Sequence, residues 1–347
     1  MTEFDPPLRL NLDGAALVSN CRALDVRSGA ARAGAAVKAD AYGLGVRDVV
    51  MRLRNAGCRD FFVAHWGEAA AIADLIPPNW ISVLNGVGSS DVSKARELGA
   101  IPVLNTPRQV ALWRDSGGGA CHIMFDSGIN RMGIGPEQMG DVSFDGLEVD
   151  LLLSHLASAD ADVAQNAEQL GLFQQLVSAQ RAHRFSLANS AGVMLGADYH
   201  FDLTRPGLSL YGGIARSGME TFIQPVVRLS SRLLQTRNVT AGTAIGYNAT
   251  YICRNDTRVG TISIGYTDGY LRAFSGKGTA CWNNLKLPVI GRVSMDLVTL
   301  DLNLAPDLAE GDWVEIDYDL AAAASVGGLS QYELLTNLGS RFARVWG

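Results

Sequence analysis

The stretch GAAVKADAYGLG, residues 34–45, begins with four small or apolar residues, passes through Lys38 and closes on Tyr42, Gly43 and Gly45. A run that is apolar throughout, not on alternate residues, suits a strand buried on both faces, as in a parallel sheet covered by helices. Lys38 sits at the end of that run. Lysine is seldom buried without a partner. It becomes useful when its surroundings favour the neutral amine, which can act as a nucleophile or condense with an aldehyde. The plain alternative is a strand-end lysine that snorkels to solvent. Tyr42 and the two glycines after it offer a hydroxyl and permissive backbone for a loop that wraps an anion.

The same rhythm recurs along the first two thirds of the chain. Short apolar runs end in polar or glycine-containing residues: FFVAH ending at His65, ISVLNG at Ile81, IPVLNT at Ile101, ACHIMFD ending at Asp126, VDLLLSHLA around His155, FSLANS ending at Ser190 and DLTRPGLSLYG around Arg205. Helical periodicity fills the gaps, for example Val46 to Ala56 and Ala164 to Arg181. With the first run this makes eight β-α units, and a (β/α)8 TIM-like barrel takes roughly 200–250 residues. A doubly wound open sheet competes. It needs fewer strands and a glycine-rich fingerprint, and GVGSSD at Gly86 lacks the third glycine and the right context.

Beyond Gln224-Pro225 the texture becomes β-rich, with VVRLSSRLLQTRNV, TRVGTISIGY, LKLPVIG and DWVEIDYDL, and no long helical pattern appears until Leu329–Leu338. The expected organisation is a barrel over residues 10–225 and a mostly β C-terminal domain over 226–347. Residues 1–9 are expected to join the latter as a strand, with Leu8–Leu12 strand-like.

Composition narrows the function. The 347 residues are 48% hydrophobic and 18% charged, with net charge -6, which describes a globular chain. No basic patch or Lys/Arg run speaks for nucleic acid. The five cysteines, Cys21, Cys58, Cys121, Cys253 and Cys281, are scattered and form no CxxC, so neither a disulfide framework nor a metal site is expected. MTEFDPPLRL has no apolar signal region, and no run is long enough to span a membrane, so a cytoplasmic protein is expected.

In a barrel, chemistry collects at the C-terminal strand ends and the loops after them. Lys38 ends the first strand, Asp126 and Arg131 follow the fifth, His155 ends the sixth, Asn189 and Ser190 end the seventh, and Arg205 and Gly207 belong to the eighth. Taken singly, His155 also reads as a core histidine, Asn189 as a strand-end cap and Arg205 as a surface ion-pair residue. One arrangement nevertheless places all of them on a single barrel face. Phosphate sites in barrels lie after strands seven and eight, where Ser190 offers a hydroxyl and Gly207 and Leu208 offer backbone N–H groups, with Tyr42 approaching from the other side. A phosphate beside Lys38 points to pyridoxal 5'-phosphate, whose aldehyde requires a lysine.

AVKADAYGLG, DSGINRMGIG, SHLASAD, LANSAG, TRPGLSLYGG, GYNATY, ISIGYTDGY and GRVSMDL, in this order, resemble the alanine racemases from about Leu8 to Arg344. The resemblance implies a homodimer with active sites shared across subunits. Lys38 would hold pyridoxal phosphate as a Schiff base and act as the base for the D-enantiomer. Tyr247, from the partner subunit, would serve the L-enantiomer. His155 would hydrogen-bond to that tyrosine and to Arg205, which faces the pyridine nitrogen. Arg131 would contact the ring hydroxyl and the substrate carboxylate. The backbone at Met295 of the partner would bind that carboxylate too, with Asp296 in support. Tyr266 and Arg292 would line the access channel. Interconversion of L- and D-alanine by two bases follows, and D-alanine serves cell-wall peptidoglycan or alanine catabolism by the same chemistry. An arginine at the ring nitrogen keeps that nitrogen unprotonated, because guanidinium donates and does not give up its proton.

Three positions depart from the family pattern. Met124 stands where many members have a carbamylated lysine that steers the barrel arginine, Ser340 where many have a phosphate-binding tyrosine, and Ser186 where some have a histidine. The alternatives are a serine-preferring or broad-specificity racemase, a barrel decarboxylase, and a non-catalytic pyridoxal-phosphate carrier. GYNATY speaks against the decarboxylase, and the second domain against the carrier.

Overall fold

The computed structural model describes residues 4–178, 180 and 182–347. The chain divides into two compact units. One is Ala16–Gln224, and the other combines the described residues up to Ala15 with Pro225–Gly347.

In the first unit seven short strands pair in parallel and in chain order: Ala35–Ala36, Phe61–Val63, Ile81–Val83, Ile101–Leu104, Gly119–Met124, Leu147–Leu153 and Arg184–Ser186. Phe61 lies opposite both Ala35 and Ile81, and Leu151 opposite both His122 and Arg184. The eighth strand, Leu203–Thr204, closes the ring. It pairs in parallel with Arg32–Ala33, and its next residues are tied on both sides: the Arg205 N–H donates to Ala188 O at 2.8 Å, and the Ala36 N–H to Pro206 O at 2.9 Å. Each of the eight runs read from the sequence supplies one strand of a (β/α)8 barrel. Ala35, Phe61, Ile81, Val103, Ile123 and Leu151 to Leu153 are fully buried, each contributing about 1.5–3 kcal/mol where the side chain is large.

Local details differ from expectation. Lys38 does not prolong its strand; it starts a short turn, Lys38–Tyr42. The run after Arg205 breaks into a 3-10 turn, Leu208–Tyr211, because Pro206 lacks the N–H a ladder needs. The helix expected to reach Arg181 covers Ala164–Ser178, and Arg181 lies outside the described residues.

Toward the N-terminal ends of the barrel strands lies an ionic cluster. Arg184 donates to Asp60 Oδ1 at 2.8 Å and to Asp150 Oδ2 at 2.6 Å. The buried His122 ring has Nε2 3.1 Å from Ser82 Oγ and Nδ1 3.9 Å from Asp150.

The second unit is an antiparallel β-barrel. The 13-residue strand Val227–Val239 pairs with Leu8–Leu12 and Trp313–Ile316 over its first half and with Thr257–Ile262 over its second. Val298–Asp301, Leu285–Ile290 and Thr279–Trp282 complete the ring between the last two. Leu8, Leu10 and Leu12 alternate into the core, and so the whole strand belongs here, three residues beyond the expected boundary at residue 9. Ala343–Trp346 pairs in parallel with its outer edge. A helix absent from the sequence reading, Leu320–Gly327, is capped by Asp319, whose Oδ1 accepts the Ala322 N–H at 2.9 Å. Four successive alanines show no apolar stripe, yet alanine has the highest helix propensity. No helix among the described residues is long and apolar enough to cross a membrane.

The barrel's ionic cluster predicts an acid-labile fold. Burial pushes the His122 imidazole below its ordinary range, Asp150 pulls it back and Arg184 adds to the fall. Burial raises the Asp150 carboxyl, but Arg184 outweighs this and holds it below the usual range. Both shifts have the same sign for stability. The unfolded chain binds the extra proton first as pH drops, so stability is lost below pH ~6.5 for the histidine and further down for the carboxylate. A His122→Gln variant is expected to lose less stability than the parent between pH ~6.5 and ~5, measured as urea midpoints. Parallel slopes would remove His122 as their origin.

Candidate active site

The C-terminal ends of the barrel strands bring Lys38, Arg131, His155 and Arg205 into one electrostatic neighbourhood. Lys38 is half-buried and has no hydrogen-bond or ion-pair partner among the described residues. Its amine lies below the ordinary lysine range because of burial and the Arg131 and Arg205 cations, against the opposing pull of Glu68. His155, in the loop after the sixth strand, is pushed down to about 3 by burial and by Arg205, Arg131 and Lys38. At neutral pH it is a neutral imidazole that can accept or donate a proton.

Arg205 is buried, and its guanidinium donates to Ser186 Oγ and to the Ser154 carbonyl. Ser186 thus takes the supporting place that the resemblance gives to a histidine in some relatives. Burial alone lowers Arg205 to about 10, and no carboxylate among the described residues pairs with it. Most buried charges are paired, so this guanidinium suits an acceptor brought by a guest.

Arg131 is exposed and rides on a loop built by Asp126. Asp126 Oδ1 accepts the N–H groups of Gly128, Ile129 and Asn130 at 2.8, 3.0 and 3.2 Å. The loop then returns to the strand, with the Ile134 N–H on Met124 O at 2.8 Å. Arg131 is positioned through this backbone, while Met124 stays buried in its strand.

The four phosphate candidates meet as well. Ser190 Oγ accepts the N–H of Gly207 at 2.9 Å and of Ser209 at 3.3 Å. Leu208 opens the 3-10 turn, where its N–H has no intrahelical carbonyl. A Cβ on Gly207 would collide with Tyr42 Oη, so the cradle is closed around a bare glycine backbone. The Tyr42 ring lies 4.8 Å from that of Tyr211, whose hydroxyl donates to Ala36 O at 2.8 Å. Asn189 Oδ1 caps the next turn through the Gly192 N–H at 2.9 Å.

Tyr247, Tyr266, Arg292, Met295 and Asp296 belong to the second unit. Tyr247 sits on the turn of the hairpin formed by Ala244–Ile245 and Tyr251–Ile252, and is 67% exposed; Met295 is 51% exposed. One arginine ties the two loops that carry Tyr266 and Met295. Arg341 donates to both oxygens of the fully buried Asp268 at 2.7 Å each, to Asp296 Oδ1 at 2.7 Å and to Thr267 Oγ1. The Thr267 hydroxyl in turn donates to Met295 O at 2.7 Å. A Cβ on Gly265 would strike the Met295 backbone, so these loops touch only because residue 265 is glycine.

The sequence reading missed Glu68, Gln169, Asp268 and Arg341. Gln169, buried in the helix Ala164–Ser178, donates to His155 O at 3.0 Å and accepts the Ala157 N–H at 2.9 Å, so it fixes the loop that carries His155. An uncharged glutamine on a helix gives no motif signal. Glu68 had one available, since it lies on the short helix Trp66–Ala70 just past the end of the second strand.

A half-buried lysine and a buried guanidinium, neither held in an ion pair, next to a glycine-and-serine cradle, define a barrel enzyme suited to pyridoxal phosphate. Lys38 suits the aldehyde, Arg205 the ring nitrogen, and Tyr42, Ser190, Gly207 and Leu208 the phosphate. Comparison with known proteins agrees. The family described as "Alanine racemase, N-terminal domain" matches residues 12–215, and "Alanine racemase, C-terminal domain" matches residues 226–346. The chain is 38% identical to "Alanine racemase" of Rhizobium meliloti, over 97% of this chain and 96% of that protein. It is 39% identical to "Alanine racemase, catabolic" of Agrobacterium fabrum, over 97% and 91%. The crystal structure of alanine racemase from Bartonella henselae with covalently bound pyridoxal phosphate superposes with TM-score 0.93 at 33% identity, covering 99% of this chain and 100% of that one. The chain belongs to the alanine racemase family and is a pyridoxal-phosphate-dependent racemase.

Two substitutions test the local geometry. Gly207→Ala is expected to displace Tyr42 and weaken retention of pyridoxal phosphate on dialysis, with the fold intact by circular dichroism. Arg341→Ala leaves the buried Asp268 carboxylate without its cation and is expected to cost roughly 2 kcal/mol, less than a fully buried pair because the arginine is half exposed. Urea denaturation measures this, and an unchanged midpoint would argue against the clamp.

Proposed function

We propose that the protein interconverts L- and D-alanine, with Lys38 and the Tyr247 of a second copy of the chain as bases on opposite faces of the α-carbon. The observation that carries this reading is the partnerless Lys38 amine, half-buried among Arg131, Arg205 and His155. When bound, pyridoxal phosphate supplies an electron-withdrawing ring that weakens the α C–H bond of an attached amino acid. The chain's own residues do the rest. Burial and two guanidinium groups keep the Lys38 Nζ ready to take a proton from one face and return it. Tyr247 Oη faces solvent on its hairpin turn, which suits a group presented to another subunit. The neutral His155 imidazole can share a proton with that hydroxyl. Arg205 would donate to the ring nitrogen of the bound cofactor and, as a guanidinium, would leave that nitrogen unprotonated. Arg131 and the Met295 backbone hold the substrate carboxylate, and Asp296, with Arg341, fixes the Met295 loop. Tyr266 and Arg292 would line the access channel.

The test is α-proton exchange of each alanine enantiomer in deuterated water, read by chiral separation and mass. The parent should exchange and racemise both. Tyr247→Phe should keep bound cofactor but racemise about 10²–10⁴-fold more slowly in both directions, while Lys38→Ala should lose the covalently held cofactor together with activity. Specific activity should also fall on dilution, as subunits part. A cofactor-loaded parent that exchanges no α-proton would make this a carrier, and normal turnover by Tyr247→Phe would overturn the two-base assignment.

A further inference from the structure

Four residues in a row after Lys38 adopt left-handed backbone. Ala39, Asp40, Ala41 and Tyr42 have φ of 53°, 52°, 53° and 56°, and none is glycine. Such geometry is unfavourable for residues with a Cβ and persists only where the surroundings impose it. Part of the support is internal. The Ala41 N–H donates to Val37 O at 3.0 Å and the Gly43 N–H to Ala39 O at 2.9 Å. Asp40 Oδ1 accepts the Val46 N–H at 2.7 Å, which pins the far end of the turn.

The near end is held from outside by one carboxylate. Glu68 Oε1 accepts the Ala39 N–H at 2.7 Å, and Glu68 Oε2 accepts the Ala64 N–H at 2.7 Å. Ala39 directly follows Lys38. Ala64 directly follows the strand Phe61–Val63, which is paired with Ala35–Ala36. The carboxylate therefore bridges two neighbouring strand ends one residue past the reactive lysine. Glu68 is itself anchored: its side chain is 17% exposed, its own N–H donates to His65 Nδ1 at 3.3 Å, and His65 Nε2 lies 3.8 Å from Oε1. Charged hydrogen bonds of this kind are about twice as strong as neutral ones.

We infer that Glu68 is a positioning residue for Lys38: its carboxylate locks the left-handed turn that presents the amine at the barrel mouth, and it is the negative charge that offsets the two arginines there. The inference rests on Lys38 being the lysine that holds pyridoxal phosphate. Around the amine, Arg131 comes from the loop after the fifth strand, Arg205 from the eighth strand and His155 from the loop after the sixth, and Asp40 and Tyr42 lie on its own turn. Of these groups and Glu68, Arg131 and Arg205 favour the neutral amine, whereas Glu68 favours the ammonium form. Asp40 is engaged by the Val46 N–H, which leaves Glu68 as the acid that acts on the lysine.

The experiment reconstitutes cofactor-free protein with pyridoxal phosphate across a pH series. The adduct is fixed with borohydride at timed intervals, and the modified Lys38 peptide is counted by mass spectrometry. Glu68→Gln has the same size, keeps one acceptor oxygen and removes the charge. Its profile of adduct formation is expected to move to lower pH, because the amine gives up its proton more readily. A purely structural role would leave that profile in place. Glu68→Ala removes both hydrogen bonds and is expected to slow adduct formation at the optimum pH at least about tenfold. If Glu68→Ala does not fold, the pH profile of Glu68→Gln alone decides. Profiles and rates equal to the parent's would overturn the inference. A parent protein that forms no adduct at Lys38 would instead overturn the reading of Lys38 beneath it.

Discussion

At the barrel mouth three positive groups come together with little counter-charge: Arg205 is buried, Lys38 half-buried and Arg131 exposed. Lys38, Arg131 and Arg205 converge around a neutral His155, and the one acid among them, Glu68, already accepts two backbone N–H groups. Unpaired buried cations are costly unless a counter-charge arrives. The first consequence is that Lys38 holds its proton loosely. The second is that the site is electrostatically suited to anionic guests, as the proposed function requires. The third is that the supporting structure has to be rigid, because repulsion among cations would otherwise spread the loops. The Asp126 loop, the Gln169 side chain and the Glu68 bridge each supply that rigidity through backbone hydrogen bonds, and of the three only Glu68 brings a negative charge that acts on the lysine, opposing the two arginines.

The two ends of the same barrel use charge in opposite ways. Toward the N-terminal strand ends, Arg184 is neutralised by Asp60 and Asp150, and a buried neutral histidine fills the remaining polar space. That end contributes stability and no exposed reactivity. The mouth leaves its charges only partly offset, by Glu68, and so trades some stability for chemistry. Arg205 marks the contrast most clearly: it is as deeply buried as His122, but its hydrogen bonds go to a hydroxyl and a carbonyl, which orient it and leave its charge intact.

In the second unit the loops that carry Tyr266, Met295 and Asp296 are tied together by a single residue. Arg341 reaches Asp268, Asp296 and Thr267, and Thr267 reaches Met295. This clamp acts through two carboxylates and a hydroxyl, so it holds the loops without help from a guest.

Much of this was legible in the sequence for a definite reason. Strands buried on both faces must be apolar throughout, so eight such runs announced the barrel, and polar residues at their ends marked Lys38, His155, Asn189, Ser190, Arg205 and Gly207. The order of short motifs then pointed to the family. Other features were invisible because they are set by contacts between distant residues. Glu68 meets Ala39 across 29 positions, and Arg341 meets Asp268 across 73; in the chain they look like ordinary surface charges. The left-handed turn after Lys38 was hidden as well, because alanine, aspartate and tyrosine do not choose that conformation locally. Sequence alone determined which residues are candidates for the chemistry, since residue type decides what can titrate or donate. Only the tertiary structure decided how they are held, since a strained backbone and an unpaired charge exist only where surrounding hydrogen bonds enforce them.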